Sequence, residues 1–132
     1  MADAANIYGT AFKNGSATLL ARVVGSDGQP IVQADIASAS YTVYLLDDQD
    51  ADARAAVAGH TGVALTVGDV VFNSLQTDAL WTVDQTGYNF RHVLDVSENQ
   101  AFAIAGRRYL VEFKLVPGSG QLILVRFRIN VI

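Results

Sequence analysis

The clearest pattern in the chain is an alternation of apolar and polar positions across its last residues, 109–132. From Tyr109 to Val116, and again from Leu122 to Val131, every odd-numbered residue is apolar. Successive side chains of a β-strand point to opposite faces of the sheet, so each run has one wholly apolar face. The pattern predicts the two strands of a β-hairpin.

The turn between the two runs determines how they pair. Facing residues of an antiparallel pair lie on the same side of the sheet, so the apolar odd positions must face each other across a loop with an odd number of residues. The loop 118–120, Gly-Ser-Gly, meets this condition and supplies the glycine of a type I turn with a G1 bulge. This register predicts that Phe113 and Phe127 are core residues.

Shorter runs of the same kind occur along the rest of the chain. The segments 63–67 and 70–75, separated by Gly68-Asp69, fit two short strands or one bent strand. Three further strands are predicted at 16–24, 38–46 and 89–96, where residues on the two faces of a strand alternate in runs rich in strand-forming residues.

Helical structure is limited in this pattern to single turns. One is predicted at 53–58 and another at 97–102, where Ser97 can act as the N-cap. About seven short strands without a long amphipathic helix indicate an all-β fold, a single two-sheet antiparallel sandwich. We assign residues 16–132 to this sandwich domain and residues 1–15 to an N-terminal arm, which either docks on the body or reaches a neighbouring molecule.

The composition is that of one small globular domain. The chain has 132 residues, 51% of them hydrophobic, a net charge of −4 and no cysteine, so disulfides and thiolate metal sites are excluded. Mild acidity argues against nucleic acid as a partner, because phosphate binding needs concentrated Lys and Arg. No signal-peptide pattern is present, and no apolar run approaches the ~20 residues of a membrane span. We therefore expect synthesis in the cytoplasm, no signal-peptide secretion and no membrane partner.

Candidate metal and catalytic residues are few. Asp47, Asp48, Asp50 and Asp52 could bind calcium, but the segment lacks the glycine and the later glutamate of a calcium loop, so a solvated loop is the other interpretation. A zinc site needs three or four ligands, and the chain has only two histidines, at positions 60 and 92. No nucleophile or phosphate-loop motif is present. We expect no catalytic site, no metal and no cofactor.

Two further positions have alternative interpretations. His92 lies on the apolar side of its predicted strand, which indicates a hydrogen-bonded, half-buried imidazole. Trp81, with Tyr88 and Phe90 near the long polar connection 76–88, could stack on a sugar ring or could close the end of the sandwich as an aromatic plug.

One surface has the composition of an interface. On the outer face of the hairpin an apolar cluster formed by Val116, Leu122 and Leu124 lies at the turn end, beyond a charged group that includes Glu112 and Lys114. Contiguous exposed apolar residues with a charged border are typical of protein interfaces, and coverage by the N-terminal arm is the intramolecular alternative. The predicted interface consists of Tyr8, Phe12, Val116, Leu122, Leu124, Arg126 and Arg128.

The segment 105–113, Ala-Gly-Arg-Arg-Tyr-Leu-Val-Glu-Phe, followed by a hairpin, resembles strands F and G of immunoglobulin-like domains, although the Cys-Trp-Cys core of antibody domains is missing. The whole chain, with Ser38–Tyr44 as a central strand, resembles small accessory proteins of tailed-bacteriophage particles. That resemblance implies a head decoration, cement or tail component in the virion, which binds other protein subunits of an assembly, itself included.

Three function classes follow from these observations. The first is a structural particle component that acts by protein–protein binding. The second is a glycan- or cell-surface-binding module, which requires Trp81, Tyr88 and the loop aspartates to converge on one pocket. The third is a hydrolase or metal enzyme, for which the chain offers too few candidate groups.

Overall fold

The computed structural model describes residues 5–25, 27–47, 49, 53–118 and 121–132 of the chain. These residues form nine strands, one short helix and a 3-10 turn at Gln33–Asp35. In chain order the elements are β1 (Ala5–Ala11), β2 (Thr18–Ala21), β3 (Ile36–Leu46), β4 (Arg54–Ala56), β5 (Val63–Leu65), α1 (Val67–Val70), β6 (Val71–Gln76), β7 (Tyr88–Val93), β8 (Arg108–Pro117) and β9 (Ile123–Val131).

The strands form two sheets. The large sheet has the order β1-β9-β8-β3-β4, and β5 pairs with β3 beside β4; the small sheet has the order β2-β7-β6. All pairs are antiparallel except β1 with β9, which run parallel. The fold is therefore all-β and β-sandwich-like, as the alternation along the chain predicts.

Both sheets contribute to one apolar core. Phe90 of the small sheet packs against Phe113 and Phe127 of the large sheet, with ring centroids 4.8 Å and 6.4 Å away. Phe113 is 0% exposed and Phe127 is 2% exposed, so the prediction that both are core residues is confirmed.

The predicted register of the terminal hairpin is also confirmed. Leu115 lies opposite Ile123 and Tyr109 lies opposite Ile129, so odd positions face odd positions along the whole ladder. Every odd-numbered residue from Tyr109 to Leu115 is buried. Residues 119 and 120 lie outside the described part of the chain, and the turn type stays a prediction.

Most of the other predicted strands are present with different bounds. The run 38–46 lies within the eleven-residue β3, whereas the run 16–24 contains only the four-residue β2. The segments 63–67 and 70–75 form two separate strands, β5 and β6, joined by the short helix α1.

Both predicted helical turns are wrong. Residues Arg54–Ala56 form β4, which pairs with Tyr44–Leu46 of β3, so pairing with an available sheet edge overrides the helical preference of alanine. No helix forms at 97–102. There the N–H and hydroxyl groups of Ser97 donate to the carboxylate of Asp95, at 3.0 and 2.6 Å, and this local turn replaces helical hydrogen bonding.

The N-terminal segment lies against the body in this structure. β1 is an edge strand of the large sheet, with Ala5 level with Val125 and Ala11 level with Val131. After it, the N–H of Lys13 donates to the carbonyl of Ile132 at 2.8 Å. The described part of the arm thus extends the sheet beside the terminal hairpin.

Candidate functional site

The face of the large sheet that points away from the small sheet is the candidate site, and we call it the outer face. Because the odd-numbered residues of β8 and β9 are buried in the core, the even-numbered ones lie on the outer face. Register extends this face over β1, where Tyr8 is level with Arg128, and over β3, where Tyr44 is level with Leu110. With β4, which pairs with β3, five strands contribute to one surface.

The structure brings six of the seven predicted interface residues to this surface. Tyr8 is 75% exposed and Leu122, which lies just before β9, is 41% exposed. Phe12, the seventh, follows the end of β1 and is 73% exposed. None of the seven belongs to the buried core. The remaining members of the set are Val116, Leu124, Arg126 and Arg128.

The N-terminal arm does not cover the apolar cluster within the described residues. β1 starts level with Val125 and runs toward Val131, away from the hairpin turn. It lies beside β9 in the plane of the sheet. Val116, at 38% exposure, and Leu122 consequently stay accessible at the turn end of the outer face.

A carboxylate at the centre of the face is shared by two arginines. The Nε–H of Arg126 donates to Oε2 of Glu112 at 2.8 Å, as cross-strand neighbours in register should. Arg54 of β4 approaches the same oxygen at 3.9 Å. The guanidinium of Arg54 also lies 4.2 Å from the ring centroid of Tyr44. One negative charge thus holds two cations on the surface.

Sequence reasoning missed part of this face. Tyr44 falls on it by the alternation of its strand, and Arg108 does so by the alternation of β8, so the pattern contained both signals. Arg54 could not be found in this way, because the segment around it was predicted to be helical. It reaches Glu112 only because β4 pairs with β3.

The two histidines, far apart in sequence, meet around Tyr41. The hydroxyl of Tyr41 lies 2.8 Å from Nδ1 of His60, and Nε2 of His60 lies 2.7 Å from the carbonyl oxygen of Asn99. A carbonyl only accepts, so Nε2 carries the proton, and in the neutral imidazole Nδ1 accepts from Tyr41. The ring of His92 lies 5.0 Å from that of Tyr41.

His92 differs from its predicted state. It is half-buried, but its Nε2 is buried without a hydrogen-bond partner among the described residues, so the prediction of a hydrogen-bonded imidazole is wrong for that nitrogen. Burial, and secondarily the nearby His60, lower the pKa of His92 below its usual value. Burial first and the charge of Asp95 second raise the pKa of Tyr41. This cluster belongs to the core, where His60 is only 2% exposed.

A groove lies between the free edges of β1 and β2. This groove has a volume of about 380 Å³, with Trp81 and Val83 on one wall and Phe127 and Ile129 among its lining residues. That volume is within the range of small-ligand sites. The free main-chain groups of two edge strands border it.

Hydrogen bonds fix Trp81 at the groove. Its indole N–H donates to Oδ1 of Asp84 at 2.8 Å, and Arg22 forms an ion pair with the other oxygen of that carboxylate at 2.8 Å. The hydrogen bonds from Trp81 and then from Arg22 lower the pKa of Asp84 well below its usual range. Tyr88, whose ring lies 5.6 Å from Trp81, donates its hydroxyl to Asp78 at 2.6 Å.

The aromatic group predicted for sugar binding is therefore only partly assembled. Trp81 lines the groove, whereas Tyr88 and Phe90 are 1% and 0% exposed and act as core plugs. The aspartates near Trp81 are Asp78 and Asp84. They come from the connection that contains Trp81, not from the cluster at 47–52.

The acidic cluster at 47–52 is only partly described. Asp47 is exposed, and its carboxylate accepts a hydrogen bond from the N–H of Gln49 at 2.8 Å. Asp48, Asp50 and Asp52 lie outside the described residues, so the alternatives for this loop stay open. Elsewhere, the described residues contain no group of three or more His, Asp or Glu side chains placed to hold a metal ion. No helix in the described part of the chain is long and apolar enough to cross a membrane.

Comparison with known proteins gives no relative from which to transfer a function. No protein-family model matches the chain, and no curated protein or solved structure matches it significantly. Function must be inferred from the surfaces themselves.

Proposed function

We propose that this protein is a structural accessory component that acts by binding other protein subunits through the outer face. The observation that carries the proposal is the assembly of the predicted interface on one exposed surface. Residues from the first strand and from the terminal hairpin, far apart in sequence, meet there. An apolar cluster beside a charged border is a typical interface composition. The described residues offer no comparable set of catalytic groups.

We further propose that the fold is immunoglobulin-like. The order β2-β7-β6 corresponds to strands B-E-D, and the order β4-β3-β8-β9 corresponds to strands C′-C-F-G. Tyr109, near the start of β8, accepts a hydrogen bond at its hydroxyl from the N–H of Ile104 at 3.2 Å. A tyrosine at the start of strand F that bonds back to the upstream main chain is a feature of these domains.

As the setting for this binding we propose a virus particle, in which the protein is a head decoration, cement or tail component. The support is the likeness in size and strand pattern to small accessory proteins of tailed-bacteriophage particles. A fold alone does not determine a function, so the setting needs its own test.

The test uses particles purified by density-gradient sedimentation from the cells that produce this protein. We expect the protein to co-sediment with them. The variant Leu122→Asp/Leu124→Asp should fold, as judged by circular dichroism and thermal unfolding, and should be lost from the particle fractions, because burying two carboxylates in an interface is unfavourable. Val83→Asp is a matched control, since Val83 is 73% exposed and lies in the groove.

The setting is wrong if the protein stays at the top of the gradient. The interface is wrong if the double variant still co-sediments, or if it fails to fold, because the face would then be part of the core. Capsid, portal or tail genes next to the gene for this protein would support the same proposal independently.

A second candidate, glycan binding, has the groove as its specific observation. Trp81 lines it beside the hydroxyl-bearing residues Thr10, Thr18 and Thr82, and aromatic and hydroxyl groups together suit a pyranose ring. Trp81 is the only tryptophan, so its fluorescence reports on this site alone. Titration with maltose, cellobiose and chitobiose should shift the emission of the wild type. Removal of binding by Thr82→Ala but not by Thr86→Ala would favour this function, and an unchanged emission with all three sugars would exclude it for them.

A further inference from the structure

We infer that the partner surface bound by the outer face is an acidic protein surface. The inference rests on the proposed function, because it specifies the chemistry of the partner that the same face binds. The basis of the inference is the distribution of charge over the surface, which the overall composition does not show. The chain as a whole is acidic, with a net charge of −4, yet the outer face is basic.

The basic residues of the face come from three strands of the large sheet, β4, β8 and β9. Among the described residues oriented toward the outer face, only Glu112 is acidic, and its carboxylate is already shared by Arg126 and Arg54. Five basic side chains lie on the same face: Arg54, Arg108, Lys114, Arg126 and Arg128. A protein with thirteen acidic and nine basic residues therefore concentrates more than half of its positive charge on one sheet face.

The arrangement of these groups favours electrostatic docking. Arg108 and Lys114 are exposed; Arg108 is the first residue of β8 and Lys114 lies in the second half of that strand, so the positive potential extends along the sheet. Arg54 and Arg126 are oriented by Glu112, and the side chain of Glu112 is only 12% exposed. An acidic surface that approaches this face meets cations at its rim and at its centre, which increases the association rate and selects against basic partners.

A protein fits the face better than a nucleic acid does. Single-stranded nucleic acids stack successive bases on several exposed aromatic rings. On this face Tyr8 is exposed, but one face of the Tyr44 ring is occupied by the guanidinium of Arg54 at 4.2 Å. The apolar cluster of Val116 and Leu122 at one end of the face suits a protein surface with its own apolar contacts.

The two lysines of the chain provide a matched pair of variants. Both are exposed, and Lys114→Glu and Lys13→Glu change the net charge equally. Lys114 lies on the outer face near the hairpin turn, opposite Leu124. Lys13 follows β1 at the end of the sheet away from the hairpin turn, where its N–H donates to the carbonyl of Ile132.

The experiment titrates the full chain into fluorescein-labelled poly-L-glutamate and, separately, into labelled single-stranded oligothymidylate, and follows anisotropy at low salt. We expect saturable binding to polyglutamate that Lys114→Glu weakens by about fivefold or more, because an attraction becomes a repulsion. Arg54→Gln combined with Lys114→Glu should weaken it further. Lys13→Glu should change it by less than about twofold.

The inference is overturned if polyglutamate does not bind, if Lys13→Glu weakens binding as much as Lys114→Glu does, or if the oligonucleotide binds more tightly than polyglutamate. Particle sedimentation separates this failure from that of the proposed function. If Lys114→Glu still co-sediments with particles while Leu122→Asp/Leu124→Asp does not, the acidic partner is wrong and the outer face is still the interface. If every variant co-sediments, the interface itself is wrong.

Discussion

Single side chains in this protein divide sharply between the core and the exposed surface, and phenylalanine shows the division best. Phe113 is fully buried, with edge-to-face contacts to Phe90 and Phe127 at centroid distances of 4.8 and 5.6 Å. Phe12 has the same side chain and is 73% exposed. The same residue type therefore has two different energetic roles, and its burial rather than its chemistry decides which.

This contrast leads to a stability prediction. Phe113→Ala or Phe127→Ala should lower the free energy of unfolding by about 3–5 kcal/mol, because each removes buried apolar surface and leaves a cavity. Phe12→Ala is the matched control and should change it by less than about 0.5 kcal/mol. Urea unfolding followed by circular dichroism measures all three. A loss below about 1 kcal/mol for Phe113→Ala would contradict its core assignment.

The lowered pKa of His92 predicts that the stability of the protein depends on pH. Burial lowers its pKa in the folded protein, whereas in the unfolded chain it titrates near 6.5. The unfolded state therefore binds more protons as the pH falls below about 6.5, and the folded state loses stability over that range. The carboxylates with lowered pKa values, Asp84 and Asp95, add a separate loss only at lower pH, as they become protonated.

We expect the urea midpoint of the wild type to decrease between pH 8 and pH 5 and that of His92→Phe to decrease less. Phenylalanine fits the aromatic surroundings of Tyr41 and Phe113 without a titrating group. His60→Gln serves as the comparison, since His60 is the other histidine of the cluster. Equal pH dependence in the wild type and in His92→Phe would show that His92 is not the responsible group.

At the scale of elements, one hydrogen bond connects the segment before β8 to that strand. The hydroxyl of the buried Tyr109 accepts from the N–H of Ile104, and the ring of Tyr109 packs edge-to-face on Phe102 at 5.4 Å. This connection orders the segment that precedes the terminal hairpin. It is also the feature that supports the proposed immunoglobulin-like fold.

Removing this hydroxyl tests the connection. Tyr109→Phe should lower the free energy of unfolding by about 1–3 kcal/mol, because the part-buried N–H of Ile104 is left without its partner. Tyr8→Phe removes a hydroxyl from a side chain that is 75% exposed and should leave stability unchanged. Chemical denaturation of the two variants provides the comparison. Equal stabilities would show that the hydroxyl of Tyr109 contributes nothing.

The loop between β3 and β4 carries a prediction of its own. Its aspartates lack the glycine and glutamate of a calcium loop, so chelation with EDTA should leave the thermal midpoint unchanged and calcium titration should show no saturable heat. Calorimetry that detects binding tighter than roughly 10⁻⁴ M would contradict this and would assign a role to the cluster. Asp47→Asn would then be expected to weaken binding.

At the scale of the whole molecule, the two sheets differ in their exposed features. The large sheet presents a broad face with basic residues and an apolar cluster, whereas the edges of β1 and β2 border a groove between the sheets. Tyr8 lines the groove as well as the face, but Lys114, Leu122 and Leu124 do not line the groove. Variants at these three positions therefore test protein binding at the face separately from ligand binding at the groove. This separation makes each proposal falsifiable without loss of the other.

Local alternation was enough to predict the terminal hairpin, since a period of two, an odd loop and one apolar face allow only one register. It also predicted β3, the core phenylalanines and the outward orientation of Arg126 and Arg128. Each of these features depends on residues close together in the chain or directly opposite in one hairpin. Their physical basis is that one face of each strand is buried, and the spacing of the apolar residues shows which face it is.

Only the tertiary structure decided the features that depend on distant segments. β4 forms at Arg54–Ala56 because the edge of β3 offers hydrogen bonds that three residues of weak strand preference accept. Tyr8 reaches Arg128, and His92 reaches Tyr41, because β1 pairs with β9 and the small sheet packs on the large one. The sequence by itself therefore determined which residues of the terminal hairpin are buried and how its two strands pair. The position of the basic face and of the groove was decided by long-range strand pairing, which leaves no periodic signal in the chain.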